Sequence, residues 1–145
     1  MKNLRISIMS LAFTMTTLVG ALALADKDEK FNLIHVPELQ NLLAATSQPA
    51  TVFDANNEKT RKEFGVVHGA KLLASSSQYD LAVLPKDKSS QVVFYCANTE
   101  CSASHTAAKR AVEAGYTHVA VFADGIQGWK KAGLKTDPYT GLSFH

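Results

Sequence analysis

Three short apolar runs limit what this chain can fold into: residues 51–54, 92–96 and 118–123, rich in Val and Phe and bounded by turn residues. Each is too short for a helix and none alternates apolar with polar, so they read as strands buried on both faces, the pattern of a parallel sheet. Parallel strands need crossover segments between them. Residues 37–45 supply one, opening with Pro37 at a first-turn position and placing Leu39, Leu42 and Leu43 on one side. The clearest helix covers 102–114 and stops at Gly115, with Ala103, Ala107, Ala111 and Ala114 on one face beside Ala108 and Val112. Side chains that small let a helix lie close against a sheet. The expectation is an α/β domain with a mostly parallel central sheet and helices on both faces. In such sheets ligands bind beyond the carboxyl ends of the strands, and Cys96 stands at one of those ends.

The N-terminal stretch has a different character. Lys2 and Arg5 precede an apolar segment, residues 6–22, and then the small-x-small triplet Ala23-Leu24-Ala25, the layout of an export signal cleaved after Ala25. An uncleaved anchor is the alternative, since the segment approaches the ~20 residues needed to cross a bilayer, although Thr14, Thr16, Thr17 and Gly20 dilute it. Both send the rest of the chain outward, because the positive residues stay on the cytoplasmic side. The division is therefore a signal peptide at 1–25 and one domain at 26–145, periplasmic or secreted, with no membrane attachment after cleavage. A domain of 120 residues buries a core without help from disulfides or metals. Beyond Ala25, 13 basic residues balance 13 acidic ones, which argues against a nucleic-acid partner. There is no repeat, low-complexity tract or heptad pattern; the loose segments are 26–30, Ser75-Ser76-Ser77 and the C-terminal tail.

The chemistry concentrates where the 92–96 run ends. Cys96 is followed by Ala97, Asn98, Thr99, Glu100, Cys101 and Ser102, a polar loop leading into the alanine-rich helix. Successive loop N–H groups can form an anion-binding nest, the helix N-terminus adds partial positive charge, and a thiolate is the anion at hand. Bringing a cysteine from about 8.5 to about 6.5 makes it mostly ionised at neutral pH and takes about 2.7 kcal/mol. A helix terminus supplies about 0.3–2 kcal/mol, leaving the remainder to the loop N–H groups. Glu100 opposes them by about 1 kcal/mol in water-like surroundings and about 3 in a shielded site, so its direction matters.

Residues 92–129 resemble the second half of a rhodanese domain, in which a strand ends in the catalytic cysteine and is followed by a loop, an Ala-rich helix, Ala-Gly-Tyr, a strand and Gly-x-x-x-Trp. Those pieces stand here as Tyr95-Cys96, residues 102–114, Ala114-Gly115-Tyr116, residues 119–122 and Gly125-Ile126-Gln127-Gly128-Trp129. Val52-Phe53-Asp54 and Gly69-Ala70 carry the weaker resemblance of the first half, and the whole spans about residues 31–135. It implies a rhodanese-like fold and a sulfurtransferase that holds sulfane sulfur as a persulfide on Cys96, cradled by the backbone of Ala97, Asn98, Thr99, Glu100, Cys101 and Ser102. The implied partners are a small sulfur donor and a thiol or cyanide acceptor; no organic cofactor and no metal is implied. Three positions depart from the family pattern. Cys101 stands where an Arg commonly precedes the helix-starting Ser, Asn56 where an Arg follows the Asp, and His68 where a turn Pro is usual. No Lys or Arg lies between Cys96 and His105, so an anionic donor such as thiosulfate would meet Glu100 instead of a guanidinium.

Blander readings stand beside these. Cys96 as a buried structural thiol, and the rhodanese fold as a non-catalytic module sensing metal, sulfide or a protein through Cys96 and Cys101, form the rival class. Cys101 either closes a local disulfide with Cys96 or resolves a persulfide there as a redox-active partner. His105, four residues beyond Cys101, adds an imidazole that would suit copper or zinc with the two sulfurs, but no fourth ligand has obvious spacing. Ser102 is read as a helix N-cap and secondarily a donor to bound sulfur. Asp54 is read as a cap for loop amides, Trp129 as a core or lid aromatic, and Lys130-Lys131 with Lys59, Arg61 and Lys62 as solvated helix faces. Sequencing of the processed protein from the cell envelope is expected to read Asp26 first; a chain starting at Met1 in the membrane fraction identifies the anchor instead.

Overall fold

Among the described residues the strands of the sheet all pair in parallel. The structure, a computed structural model, describes residues 30–141; the expected export signal with its cleavage point, and the last residues of the tail, lie outside them. In chain order the elements are β1 (Asn32–Ile34), α1 (Val36–Ala44), β2 (Thr51–Asp54), α2 (Glu58–Phe64), β3 (Lys71–Leu72), a 3-10 turn (Leu81–Val83), β4 (Val92–Tyr95), α3 (Ala103–Glu113), β5 (Val119–Phe122) and α4 (Gly125–Lys131). The five strands lie in the order β1-β5-β4-β2-β3, and the three apolar runs are its central strands. Register pairs Asp54 with Tyr95 and Tyr95 with Phe122.

The period-two alternation of the central strands sends side chains to two cores. Phe53, Val92, Phe94, Val119 and Val121 meet Ala107, Ala108 and Ala111 of α3 on one face. Val52, Val93, Tyr95, Ala120 and Phe122 meet Leu39 of α1 with Ile126 and Trp129 of α4 on the other, where Phe64 of α2 also packs. Ala107, Ala108 and Ala111 are fully buried, so α3 lies on the sheet chiefly through methyl groups, as the small-residue face predicts. Gly115, at φ 93°, ends the α3 segment, a backbone conformation that favours glycine.

One expectation about α2 is overturned. Lys59 and Lys62 are exposed, but Arg61 is 1 % exposed and reaches inward. Its Nε donates to Asp54 Oδ1 at 3.2 Å and its Nη2 to the carbonyls of Asp54 and Leu73, both at 2.9 Å. The reason is the fully buried Asp54 at the end of β2, whose charge needs a partner that water cannot supply. A guanidinium with several fixed donors satisfies the carboxylate and the neighbouring carbonyls together. Asp54 also accepts from the Asn56 amide at 2.7 Å, the expected loop cap, and from the Tyr95 hydroxyl at 2.6 Å. Burial first, then the Asp54 charge, pushes the Tyr95 phenol well above 10, so it stays a neutral donor. Removing one partner of such a pair strands the other, at a cost of about 3–5 kcal/mol. Arg61→Met is therefore expected to lower stability by that order in urea unfolding, while Lys62→Met on the same helix leaves the midpoint unchanged.

Candidate active site

The topology opens a crevice at one place. From β2 the chain crosses through α2 outward to β3, whereas from β4 it crosses through α3 the opposite way to β5. Right-handed crossovers in opposite directions put α2 and α3 on opposite faces, and the carboxyl ends of β2 and β4 part at the switch point. A cleft of about 400 Å³ lies there, lined by Asn56, Asn57 and Thr60 beyond β2, residues 73–76 beyond β3, and Ala97, Cys101 and Ala103 beyond β4. None of these side chains is charged. Ser75, read as loose from sequence, forms part of the wall, its Oγ accepting from the amides of Ser77 and Gln78 at 3.3 and 3.1 Å.

Cys96 is 1 % exposed at the end of β4 and is paired as a disulfide with Cys101, their Cα atoms 6.2 Å apart. Cys101 is half-buried and lines the cleft; Cys96 does not. The Ser104 hydroxyl, in the first turn of α3 and 2 % exposed, lies 3.2 Å from Cys96 Sγ, and the carbonyl oxygen of Cys101 lies 3.1 Å from it. When the disulfide is open these two groups act oppositely. A hydroxyl donor favours the thiolate, whereas the carbonyl favours the protonated thiol that can donate to it.

The loop is organised by Asn98, which accepts the Glu100 amide on Oδ1 at 3.1 Å and the Cys101 amide on its carbonyl at 3.2 Å. Two N–H groups of the expected cradle are thus turned onto the loop itself. Glu100 is exposed and is not part of the cleft wall, so its charge faces solvent. Ser102 occupies the N-cap position of α3, but its hydroxyl makes no capping bond and the residue is exposed. The serine near the sulfur is Ser104, which sequence reading passed over. Its one available signal was a hydroxyl in the first turn of the helix that follows the cysteine loop.

The first turn of α4 clamps the loop's opening. Ile126 N donates to the Cys96 carbonyl at 2.9 Å and Gln127 N to that of Ala97 at 3.0 Å. Gly125 makes this possible: at φ 62°, a Cβ there would lie 2.6 Å from the Cys96 carbonyl oxygen and from the Ala97 carbonyl carbon. Asp124 ties the same turn to the start of α1, its carboxylate accepting from the Val36 amide at 3.1 Å and bonding His35 Nδ1 at 2.9 Å. Trp129 is a core aromatic edge-on to Phe122, its Nε1 donating to the Lys135 carbonyl at 2.9 Å. His105 packs edge-on against Phe31, ring centroids 5.6 Å apart, and among the described residues no group of three or more His, Cys, Asp or Glu side chains is placed to hold a metal. His68 is exposed and bonded to the Asp137 carboxylate at 2.8 Å.

A cysteine at the carboxyl end of the middle strand of a five-stranded parallel sheet, its loop locked by a Gly-x-x-x-Trp helix, defines a sulfurtransferase-type fold. The chain belongs to the rhodanese-like domain family, whose model matches residues 27–132. No curated protein matches it significantly. Among solved structures it is similar to the polysulfide-sulfur transferase homodimer of Wolinella succinogenes, at TM-score 0.61 and 19 % identity over 80 % of this chain and 85 % of that one. It is similar to the human single-domain sulfurtransferase at 0.54 and 23 %, over 68 % and 95 %. It is also similar to the thiosulfate sulfurtransferase of Pseudomonas aeruginosa at 0.58 and 22 %, where 78 % of this chain spans 22 % of that longer one. At these identities the likeness establishes the fold.

Gly125→Ala tests whether α4 positions the loop. A positive φ costs a side chain about 1–2 kcal/mol, and the backbone contact adds to it, so a total loss of about 2–4 kcal/mol is expected in denaturant unfolding. A loss below about 0.5 kcal/mol, the level of an ordinary surface change, would show that the clamp is not tight.

Proposed function

We propose that this chain is an exported sulfurtransferase that carries sulfane sulfur as a persulfide on Cys96. The observation that supports it most is the position of Cys96: at the switch point of the sheet, beside a hydroxyl donor and under a cleft that reaches it through Cys101. In the reduced protein, the Cys96 thiolate attacks the outer sulfur of a persulfide or polysulfide donor. The donor's S–S bond breaks, the remaining thiolate leaves, and Cys96 holds the transferred sulfur. An acceptor thiolate, or cyanide, then attacks that outer sulfur and frees Cys96. Thiosulfate is the less suitable donor, since no cation lines the cleft to receive a dianion; the structurally similar Wolinella protein is named for polysulfide-sulfur transfer.

The paired cysteines favour one addition. Cys101 attacks the inner sulfur of the Cys96 persulfide, the outer sulfur leaves as hydrosulfide, and the Cys96–Cys101 disulfide is the product. The export signal read from the sequence at 1–25 supports an oxidising compartment for this chemistry, one in which such a disulfide persists.

Intact-mass measurement of the reduced protein after exposure to polysulfide tests the reading. In Cys101→Ser one added sulfur atom is expected to stay on Cys96, because the variant lacks the thiol that would expel it; the wild type is expected to release hydrosulfide and end as the Cys96–Cys101 disulfide, and Cys96→Ser to gain no sulfur. No added sulfur in Cys101→Ser together with no hydrosulfide release by the wild type would assign the fold here to the non-catalytic class, and sulfur carried on Cys101 would overturn the assignment to Cys96.

A further inference from the structure

We propose that the cleft between β2 and β4 is a binding site for a peptide-like thiol, which reopens the Cys96–Cys101 disulfide by attacking Cys101 and is held through the Asn56 side chain. The inference deepens the reading above by naming what returns the oxidised protein to its thiol form. Two independent observations carry it.

The first is an asymmetry between the sulfurs. Cys101 lines the cleft and is half-buried, whereas Cys96 is 1 % exposed and shielded beneath it. A nucleophile in the cleft meets Cys101. Its thiolate bonds to Cys101 Sγ, the disulfide breaks, and the electron pair leaves on Cys96 Sγ, where the Ser104 hydroxyl at 3.2 Å is placed to donate to the new thiolate. A second thiolate attacks the incoming sulfur of the mixed disulfide and displaces Cys101. Two thiols are oxidised to one disulfide, their protons are left for the two cysteines, and the protein gains two electrons.

The second is Asn56. It lines the cleft and is 6 % exposed, yet its Nδ2 is buried without a hydrogen-bond partner among the described residues. Two other polar atoms of the wall are engaged: Asn57 Oδ1 accepts from the Thr60 amide, and Ser75 Oγ from the Ser77 and Gln78 amides. Asn56 is also held in place, its own amide bonded to the buried Asp54 carboxylate. A fixed donor in a wall without charged side chains suits a carbonyl or carboxylate oxygen, which a peptide-like thiol has and a simple alkyl thiol lacks. The cleft volume, about 400 Å³, lies in the range of small-ligand sites.

The probe is glutathione, with 2-mercaptoethanol as the thiol that has no carbonyl, and the target is the full-length protein in its disulfide form. Partial reaction followed by alkylation and fragment-ion mapping is expected to find glutathione on Cys101 and the alkyl group on Cys96. In Asn56→Ala the ratio of the glutathione rate to the mercaptoethanol rate is expected to fall about tenfold, the worth of one lost hydrogen bond, and Asn56→Ser gives a second reading of that ratio should the alanine variant fold poorly. Glutathione found on Cys96, or a ratio unchanged by both substitutions, overturns the proposal. Neither readout involves sulfane sulfur, so this test fails or succeeds independently of persulfide formation on Cys96.

Discussion

A single buried carboxylate organises the carboxyl edge of this sheet. Asp54 is fully buried, and its charge is met by Arg61 from α2, the Tyr95 hydroxyl from β4 and the Asn56 amide from the loop beyond β2. Three separate pieces of chain are thereby fixed to one point. Arg61 extends the hold to the Leu73 carbonyl beyond β3, and Tyr95 accepts the Val67 amide on its hydroxyl. The residue after Tyr95 is Cys96. The Cys96 sulfur thus begins from a strand end that is anchored by hydrogen bonds as well as by packing. Desolvating a carboxylate is costly without such partners, which makes the arrangement demanding of all its members at once.

Around that anchor the two halves of the site are held differently. The wall from β2 and β3 is fixed by the Asp54 network. The opposite wall, from β4 to α3, is fixed by α4, which grips the Cys96 and Ala97 carbonyls through the close approach that only Gly125 allows. Between them the loop from Asn98 to Cys101 closes mostly on itself. Cys96 is thus held at the strand end by both devices, whereas Cys101 sits in the loop, which the Asn98 side chain ties to Gln127 of α4, and a disulfide joins the two cysteines.

Much of this was legible in the sequence because the central strands are apolar on both faces. Residues 92–96 and 118–123 were read one residue longer than the observed Val92–Tyr95 at one end and Val119–Phe122 at both. The edge strands β1 and β3 left no such run: Asn32, Leu33 and Lys71 are exposed, and a strand that is half in water shows no continuous apolar stretch. Arg61 was misread for a related reason. In a helix of Glu, Lys and Thr, one inward-turned cation has the same composition as its outward neighbours, and only the spatial nearness of Asp54 distinguishes it. Cys96 and Cys101 stood out by their motif; Ser104 left only the faint signal of a hydroxyl in the helix's first turn, and the place of Asn56 in the cleft wall arises from contacts across the fold that spacing along the chain does not encode.

The alanine face of α3 has a consequence for how such a domain diversifies. Fully buried against the strands, the methyl groups of Ala107, Ala108 and Ala111 leave little space for a larger side chain, so the platform under the site tolerates little change. Thr99 and Glu100 touch none of that platform and face solvent. Selection can therefore rewrite the charge at the rim, exchanging a basic edge for an acidic one, without disturbing the scaffold beneath. A lineage can change what it accepts from its surroundings while keeping the same sulfur in the same place.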